Sequence, residues 1–347
     1  MLGNLKQGCL TVAKSAGLFH LASSSPLRNA RVLVLGYHGV ALEDEHRWDP
    51  CLYLSPQTFR SRMEALKRNR CNVLSLADAL RLSKAGQLPE RAAVLTFDDG
   101  TYDFYKVAWP ILKEFGYPAT LYLTTYYVDF QYPVTPGIWR YMLWKTKAST
   151  VNAGGIVGKD VTFDLTTAAG RAGALWEITS FADSEKMEAE ERNALSAKLA
   201  GTLGLEFDSL CERRLVQLLR PEEIRRIAQD GISVQMHMHY HSTPLVREAF
   251  IKNLEANRER IATITASEPT HFCYPSGHHR PEFVTWLRAS GVQSATTCDL
   301  GLLSPSTDPL LIPRFIDTST SSDVAFESWI VGVGALVSRV GALVPHA

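Results

Sequence analysis

The sequence predicts an α/β fold built on a mostly parallel sheet or barrel. Two observations carry this: strand-like apolar runs alternate with helical patterns, and several helical patterns open on recognisable caps. The first strand, Arg31 to Tyr37, is a continuous apolar run. Ser55 and Pro56 then supply an N-cap and a first-turn proline, and Phe59, Met63 and Leu66 give one helical face. Ser75 opens a shorter helix through Leu82. Strands follow at Ala92 to Phe97 and at Pro118 to Thr124. From about Tyr126 to Pro221 the pattern changes. Aromatic residues, a Gly/Ala/Thr-rich patch and charged helical sequence from Ser184 to Leu203 read as a largely helical insertion. Gly158-Lys159 within it is not a phosphate loop, because Ala153 and Asp160 break that motif. The alternation returns with a helix from Pro221 to Gln229, a strand from Ile232 to Met236 and a long helix to about Ala266. A strand from His271 to Tyr274, a helix from Pro281 to Ala289 and a strand from Val292 to Thr297 complete it.

With 347 residues, 46% of them hydrophobic, the chain can bury a sizeable core or form one large α/β domain with insertions. Net charge is zero and no basic tract stands out, which excludes the electrostatic footprint of a nucleic-acid binder. The six cysteines are scattered without a Cys-x-x-Cys, so they read as free thiols of a reducing compartment and the expected location is cytoplasmic. Residues 1–30 form an amphipathic helical segment, with Leu2, Leu5, Cys9, Val12, Ala16 and Phe19 at helical spacing and Lys6 and Lys14 among them. Lys14 interrupts the apolar core that a signal peptide needs. Residues 31–320 carry the barrel pattern, with the insertion at about 130–220, and residues 321–347 are an apolar tail. Within the tail, Trp329 to Val344 is Gly-rich, carries Arg339 and falls short of a spanning helix. Each terminus is expected either to dock on the domain or to rest at a membrane surface, docking being the default for the tail. Peripheral membrane contact through the termini is therefore one expectation.

Thr96 to Gly100 puts adjacent carboxylates, Asp98 and Asp99, at the end of the strand from Ala92, ahead of the helix-like stretch Tyr102 to Phe115. Two carboxylates side by side repel, so such a site holds a cation, a proton or both, and suits metal ligation together with general-base work. Alone, Asp-Asp-Gly is more often a turn. The second signal is His237-Met238-His239-Tyr240-His241, three imidazoles directly after the strand Ile232 to Met236. Imidazole is the commonest nitrogen ligand of zinc-like metals, and three protein ligands leave room for substrate or water. His237 and His241 converge if the strand gives way to a helical turn. On a regular strand His237, His239 and His241 share one face, so which two ligate is open at this level. Third, Tyr37-His38-Gly39 ends the first strand, where barrel enzymes place their chemistry. Fourth, Tyr274-Pro275-Ser276-Gly277 follows the strand from His271, and such a loop can expose backbone N–H groups of the kind found in an oxyanion hole. The joint pattern at four strand ends is far less probable by chance than any one part.

Thr96 to Gly100, His237 to His241 and Tyr274 to Gly277 resemble the first three motifs of the polysaccharide deacetylases, carbohydrate esterase family four with its NodB-homology domain. The resemblance covers roughly residues 31 to 318, around the insertion. It implies a partly open, distorted (β/α)7 barrel with a largely helical insertion. It further implies that Asp99, His237 and His241 hold a divalent metal, often zinc, and that Asp98 is the general base. The ion and a backbone N–H near Ser276 would hold the oxyanion, with Tyr274 and His239 on the substrate side. Two departures stand out. Cys273 stands where the third motif often has an Arg that orients the base, and Arg314, in the late segment Leu300 to Phe315, is a candidate for that role. No late Leu-x-His supplies the general acid, and His346 sits in the tail. Tyr37 to Val40 is similar to the N-terminal Tyr-His segment of the permuted poly-N-acetylglucosamine deacetylases, which assigns the acid to His38.

The implied function is a metal-dependent hydrolase that removes an N-acetyl or similar small acyl group from an amino sugar in a polysaccharide or glycan precursor. One alternative is a deformylase or O-acyl esterase on a lipid-linked sugar. Another is a catalytically impaired homologue that binds glycan without cleaving it.

Overall fold

Eight parallel strands make one sheet: β1 (Leu33–Tyr37), β2 (Asn72–Val73), β3 (Ala92–Phe97), β4 (Thr120–Leu123), β5 (Ser233–Met236), β6 (His271–Cys273), β7 (Ser294–Thr296) and β8 (Phe315–Ile316). The computed structural model describes residues 2–342, and side chains from residue 7 to 337; His346 lies outside the described residues. The strand order is β7-β6-β5-β4-β3-β1-β8, with β2 beside the start of β3. A parallel bridge between Thr296 and Ile312 ties β7 to the segment that leads into β8. The sheet thereby curls into the partly open barrel that was expected, with β2 as a short extension outside the circuit.

β1 and β3 are buried at every position, so they read as unbroken apolar runs rather than as alternating ones. Val32, Val34, Ala92, Val94, Leu303 and Ile312 share a core with Leu76 and Ala79 of the helix Leu76–Ala85. A second cluster stacks Tyr37, Phe59, Phe97 and Phe104. Phe59 belongs to the helix Pro56–Arg68, whose Ser55 side chain accepts from Thr58 N as an N-cap should. Full burial of a side chain such as Phe59 is worth about 2–3 kcal/mol.

The helix expected after Gly100 differs in form. Phe104–Ala108 is a π-helical turn and Trp109–Phe115 is α-helical. Pro110 has no N–H to return to the preceding turn, and the ladder widens there. β2 and β8 went unforeseen, because two residues are too short to show a period.

The barrel, residues up to 100, 104–125 and from 222 onward, is one compact unit; residues 101–103 and 126–221 form another. The second unit carries the helices Gly137–Lys145, Ala168–Ser184, Ala189–Thr202 and Phe207–Glu212 and an antiparallel pair, Thr150–Asn152 with Thr162–Asp164. Its buried Trp139 donates to Ser196 Oγ at 2.7 Å, which satisfies the indole N–H inside an apolar core.

At the termini, the helix Leu2–Ser15 packs against the helix Asp323–Ile330, with Lys14 bonded to Glu327, and Arg28 of the helix Pro26–Asn29 donates to Ile330 O. The described parts of both termini therefore dock on the barrel; residues 343 and 344 of the expected apolar tail lie outside the described residues. No helix among the described residues is long and apolar enough to cross a membrane. All six cysteines are free.

Candidate active site

The pairing of β1 with β3 sets the first contact. Their register ends with Tyr37 opposite Phe97, and Asp98 N donates to Tyr37 O at 2.9 Å. His38 and Asp98 therefore leave the sheet side by side, with His38 Nε2 3.8 Å from Asp98 Oδ2. That is too long for a hydrogen bond, so the two are neighbours without being bonded to each other.

Asp98 is buried yet charged. Its Oδ1 and Oδ2 accept from Arg314 Nη1 and Nη2 at 2.7 and 2.8 Å. Burial alone would push this carboxyl up, but the guanidinium, with His237 and His38 nearby, holds it below the ordinary Asp value. Arg314 is itself fixed. Its Nε donates to Thr297 O at 2.9 Å, Nη1 also reaches Thr96 Oγ1 at 3.0 Å, and Nη2 lies 3.2 Å from Cys273 Sγ. β1 leaves space for it: a Cβ on Gly36 would meet Ile316 Cδ1 at 2.4 Å and Arg314 Nη1 at 3.3 Å. The guanidinium at Asp98 thus arrives just ahead of β8, while Cys273 occupies β6 beside it.

Asp99 turns the other way. Its φ of 71° is left-handed, and Gly100 follows at 83°, so the chain swivels and sends the two carboxylates to different partners. Asp99 Oδ1 lies 3.3 Å from His237 Nε2 and 3.2 Å from His241 Nε2. The imidazoles converge because β5 stops at Met236 and because Met238 and His241 take positive φ, 65° and 51°. Their ring centroids are 4.9 Å apart, edge to face.

The donor set fits a divalent metal. His237 Nδ1 is 2.9 Å from Cys273 O, and a carbonyl only accepts, so Nδ1 carries a proton. In the neutral ring Nε2 then aims a lone pair at Asp99 Oδ1, a buried oxygen that receives no hydrogen bond. Two lone pairs at such range need a cation between them. Three ligand atoms, one from each of Asp99, His237 and His241, lie within 4.8 Å of one another, which suits a zinc-type ion with an open coordination position. A proton serves in the ion's place. Burial would lower His237, but Asp99, Asp98 and the Cys273 carbonyl raise it above the ordinary value; Asp99, despite its partial burial, is held well below the ordinary value by the two histidines. Asp98, His237 and Cys273 form a second close group. It is a poor metal site, because Arg314 takes both Asp98 oxygens and burial pushes the Cys273 thiol far up.

Residues 85–159 and 172–295, more than half of the chain, match the family model for polysaccharide deacetylases. The chain belongs to the polysaccharide deacetylase family. Both carboxylates, the histidine triplet and Tyr274 to Gly277 fall inside the matched residues, whereas His38 and Arg314 fall outside. Among curated relatives, the poly-β-1,6-N-acetyl-D-glucosamine N-deacetylase of Escherichia coli K12 is 32% identical over 100 residues, 28% of this chain and 15% of that protein. A Staphylococcus epidermidis protein of the same name is 31% identical over 75 residues, 22% of this chain and 26% of its own. The chain thus spans only a small part of the curated relatives it matches. Two solved structures share the fold over most of their length. Streptococcus pyogenes deacetylase PplD, in complex with acetate, has a TM-score of 0.54 at 17% identity, covering 84% of this chain and 94% of that one. IcaB from Ammonifex degensii has a TM-score of 0.53 at 16% identity, covering 88% and 97%.

The other expected residues of this polysaccharide deacetylase homologue fare differently. Ser276 is exposed, at φ 55° on the loop after β6, and β6 pairs with β5 at Phe272 and Met236, so this loop adjoins the histidine loop. Tyr274 is not on the substrate side as expected. It is fully buried, its hydroxyl donates to Leu310 O at 3.1 Å and its N–H to Thr296 O at 3.1 Å, so the barrel consumes both donors. His239 turns from the Asp99 cluster to Thr125, with Nδ1 2.9 Å from Oγ1.

The residues that shape the histidine loop were missed from sequence. Asn257 Oδ1 accepts from His237 N at 2.9 Å while its Nδ2 donates to Leu123 O and Thr125 Oγ1. One turn earlier, Asn253 Oδ1 accepts from His239 N and Tyr240 N, and its Nδ2 donates to Ser242 O. Both stand on the helix Arg247–Thr265 among buried Phe250, Leu254 and Ile261. An asparagine at core positions of an apolar face was the available signal, since a buried amide must find partners. Asn257→Leu is expected to weaken metal binding by roughly 10- to 100-fold with the fold retained, read by titration against a competing chelator.

Proposed function

We propose that this chain is a divalent-metal-dependent carbohydrate N-deacetylase, which cleaves the amide C–N bond of an N-acetylated amino sugar in a polysaccharide. The observation that carries this reading is the division between adjacent carboxylates: Asp99 faces two imidazoles and Asp98 a guanidinium. A divalent ion, zinc for preference, held by Asp99, His237 and His241 would polarise the acyl oxygen and make water there more acidic. Asp98 accepts the proton of the attacking water, kept ionised and aimed by Arg314. A backbone N–H near Ser276 donates to the oxyanion. His38, beside Asp98, gives its proton to the departing amine. The water oxygen joins the acyl carbon, the C–N bond breaks, and acetate and a free amino sugar leave.

The names of the relatives favour a poly-β-1,6-N-acetylglucosamine-type substrate. The impaired-homologue alternative was motivated by Cys273 and by the missing late histidine; an arginine on Asp98 answers the first motive, and His38 beside Asp98 is the group assigned to the second. Incubation with β-1,6-linked N-acetylglucosamine oligomers should release acetate, stop on chelation and resume with added zinc. Activity that survives both chelation and His237→Ala would end the metal-dependent reading. Formate from N-formyl sugars, or acetate only from O-acetylated glycan, would put the deformylase or esterase in its place.

A further inference from the structure

A cavity of about 530 Å³ lies at the N-terminal ends of β6 and β7, between the helix Leu76–Ala85 and the segment from Leu303 to Pro309. The residues of the candidate site follow the opposite, C-terminal ends of the strands, so the cavity is separate from it. Two polar side chains that line it are buried without being satisfied. Ser83, 3% exposed, stands with Leu76 and Ala79 on the inner face of its helix. A helical serine can donate to the carbonyl four residues back, yet Ser83 Oγ has no partner among the described residues. His271, 6% exposed, opens β6, and its Nδ1 meets Ser294 Oγ at 2.8 Å. Its Nε2 bonds to nothing among the described residues. Burial pushes the imidazole down to about 4, so at neutral pH the ring presents an uncharged hydrogen-bonding edge.

The charge in the cavity is cationic. No lining residue is acidic. Asp78, on the same helix, is bonded to Arg81 at 2.9 Å, and Asp308, between the lining residues Thr307 and Pro309, lies 3.1 Å from Arg288. Lys84 lines the cavity beside Ser83 and makes no ion pair among the described residues. Leu80, Leu303 and Pro305 add an apolar wall, and Gln293 adds an amide. The volume exceeds what a bare oxyanion fills and falls within the roughly 300–1,000 Å³ of small organic ligands.

These groups select among anions. A fatty acid would leave Ser83, His271 and Gln293 unsatisfied against hydrocarbon, and inorganic phosphate would leave the apolar wall in water. A sugar that carries one anionic group answers all three features. Its hydroxyls meet the neutral polar groups, its ring C–H faces meet Leu80 and Pro305, and its phosphate or carboxylate meets Lys84. We propose that this cavity is a second ligand site, which binds a phosphorylated or carboxylated monosaccharide.

Calorimetric titration of the full chain with glucose 6-phosphate, glucuronate, glucose and inorganic phosphate tests the proposal. At least one of the two anionic sugars is expected to bind, with glucose and inorganic phosphate roughly tenfold or more weaker, and the tighter of the two decides between phosphate and carboxylate. Lys84→Glu, at an exposed position, should weaken that binding roughly tenfold or more. Ser83→Ala should weaken it roughly three- to tenfold without lowering the melting temperature, because it deletes a buried hydroxyl that had no partner. No heat from either anionic sugar, equal affinity for glucose or for inorganic phosphate, or binding that both variants leave unchanged would each overturn the proposal. Acetate release plays no part in the readout, so the outcome is independent of the deacetylase reading.

Discussion

Arg314→Met is expected to cost this protein roughly 3–5 kcal/mol of stability, because it strands a buried carboxylate. Asp98 is only 2% exposed and both its oxygens point at that guanidinium, so no water replaces the lost partner. Denaturant unfolding of Arg314→Met, Asp98→Asn and the double variant decides the cause. If charge pairing is the source, the double variant is more stable than the sum of the single losses allows; equal additive losses would point to packing alone. Activity should not follow stability. Asp98→Asn keeps an oxygen to accept from Arg314 but loses the base, and acetate release is expected to fall about 10²- to 10⁴-fold, with no recovery in the double variant. Any residual activity of Arg314→Met should show its acidic limb at higher pH, since the group that offsets burial is gone. Stability carries the same sign. Asp98 lies below the ordinary 3.8 in the folded chain, so the pair's contribution is complete above that value and fades as pH falls through the lower folded one. Melting below pH 3.8 should therefore weaken the native chain more than it weakens Asp98→Asn.

The strand ends that carry the candidate site were legible for a physical reason. β1 and β3 are buried on both faces, so each is a continuous apolar run that stops abruptly at His38 or at Asp98. Caps such as Ser55-Pro56 made the helices between them equally plain. What no period or cap showed was whatever depends on distant chain. Arg314 was a candidate to orient the base only through the resemblance of its late segment, and the structure bears that out; its contact with Asp98, 216 positions away, rests on the two-residue β8 lying against β1, a pairing with no period to read. The choice among the three histidines came from the resemblance and not from their spacing, for a related reason. A regular strand would have aligned His237, His239 and His241, and only the left-handed turns at Met238 and His241 break that alignment. Non-glycine residues take such φ at a cost, and here the amides of Asn253 and Asn257 hold the loop through its backbone. Tyr274 was misplaced because motif position says nothing about a ladder. β7 claims its N–H and Leu310 its hydroxyl.

If the proposed metal-dependent reading holds, chelating the ion lowers acetate release on the order of 10³-fold, and its effect on stability depends on pH. The metal-free chain keeps Asp99 and His237 together by a shared proton. Burial acts to lower His237, but the two carboxylates and the Cys273 carbonyl outweigh it, so its folded value stands above 6.5; Asp99 stands well below 3.8. A raised histidine stabilises fully below its unfolded value and loses that contribution as pH rises through the folded one. A depressed carboxylate does so above its unfolded value and loses it in acid. The metal-free pair is therefore strongest between pH 3.8 and 6.5 and weakens above that window. A metal needs His237 without its Nε2 proton, so binding strengthens over the same range in which the proton leaves. The melting-temperature gap between zinc-loaded and metal-free protein should widen from about pH 5 to about pH 9. A constant gap would mean that proton and metal do not compete for His237. His241→Ala should shrink the gap and lower the metal-free melting temperature less than His237→Ala does, because His241 is 44% exposed. His237→Ala should abolish it and lower the metal-free melt as well, since a side chain 2% exposed leaves a cavity behind.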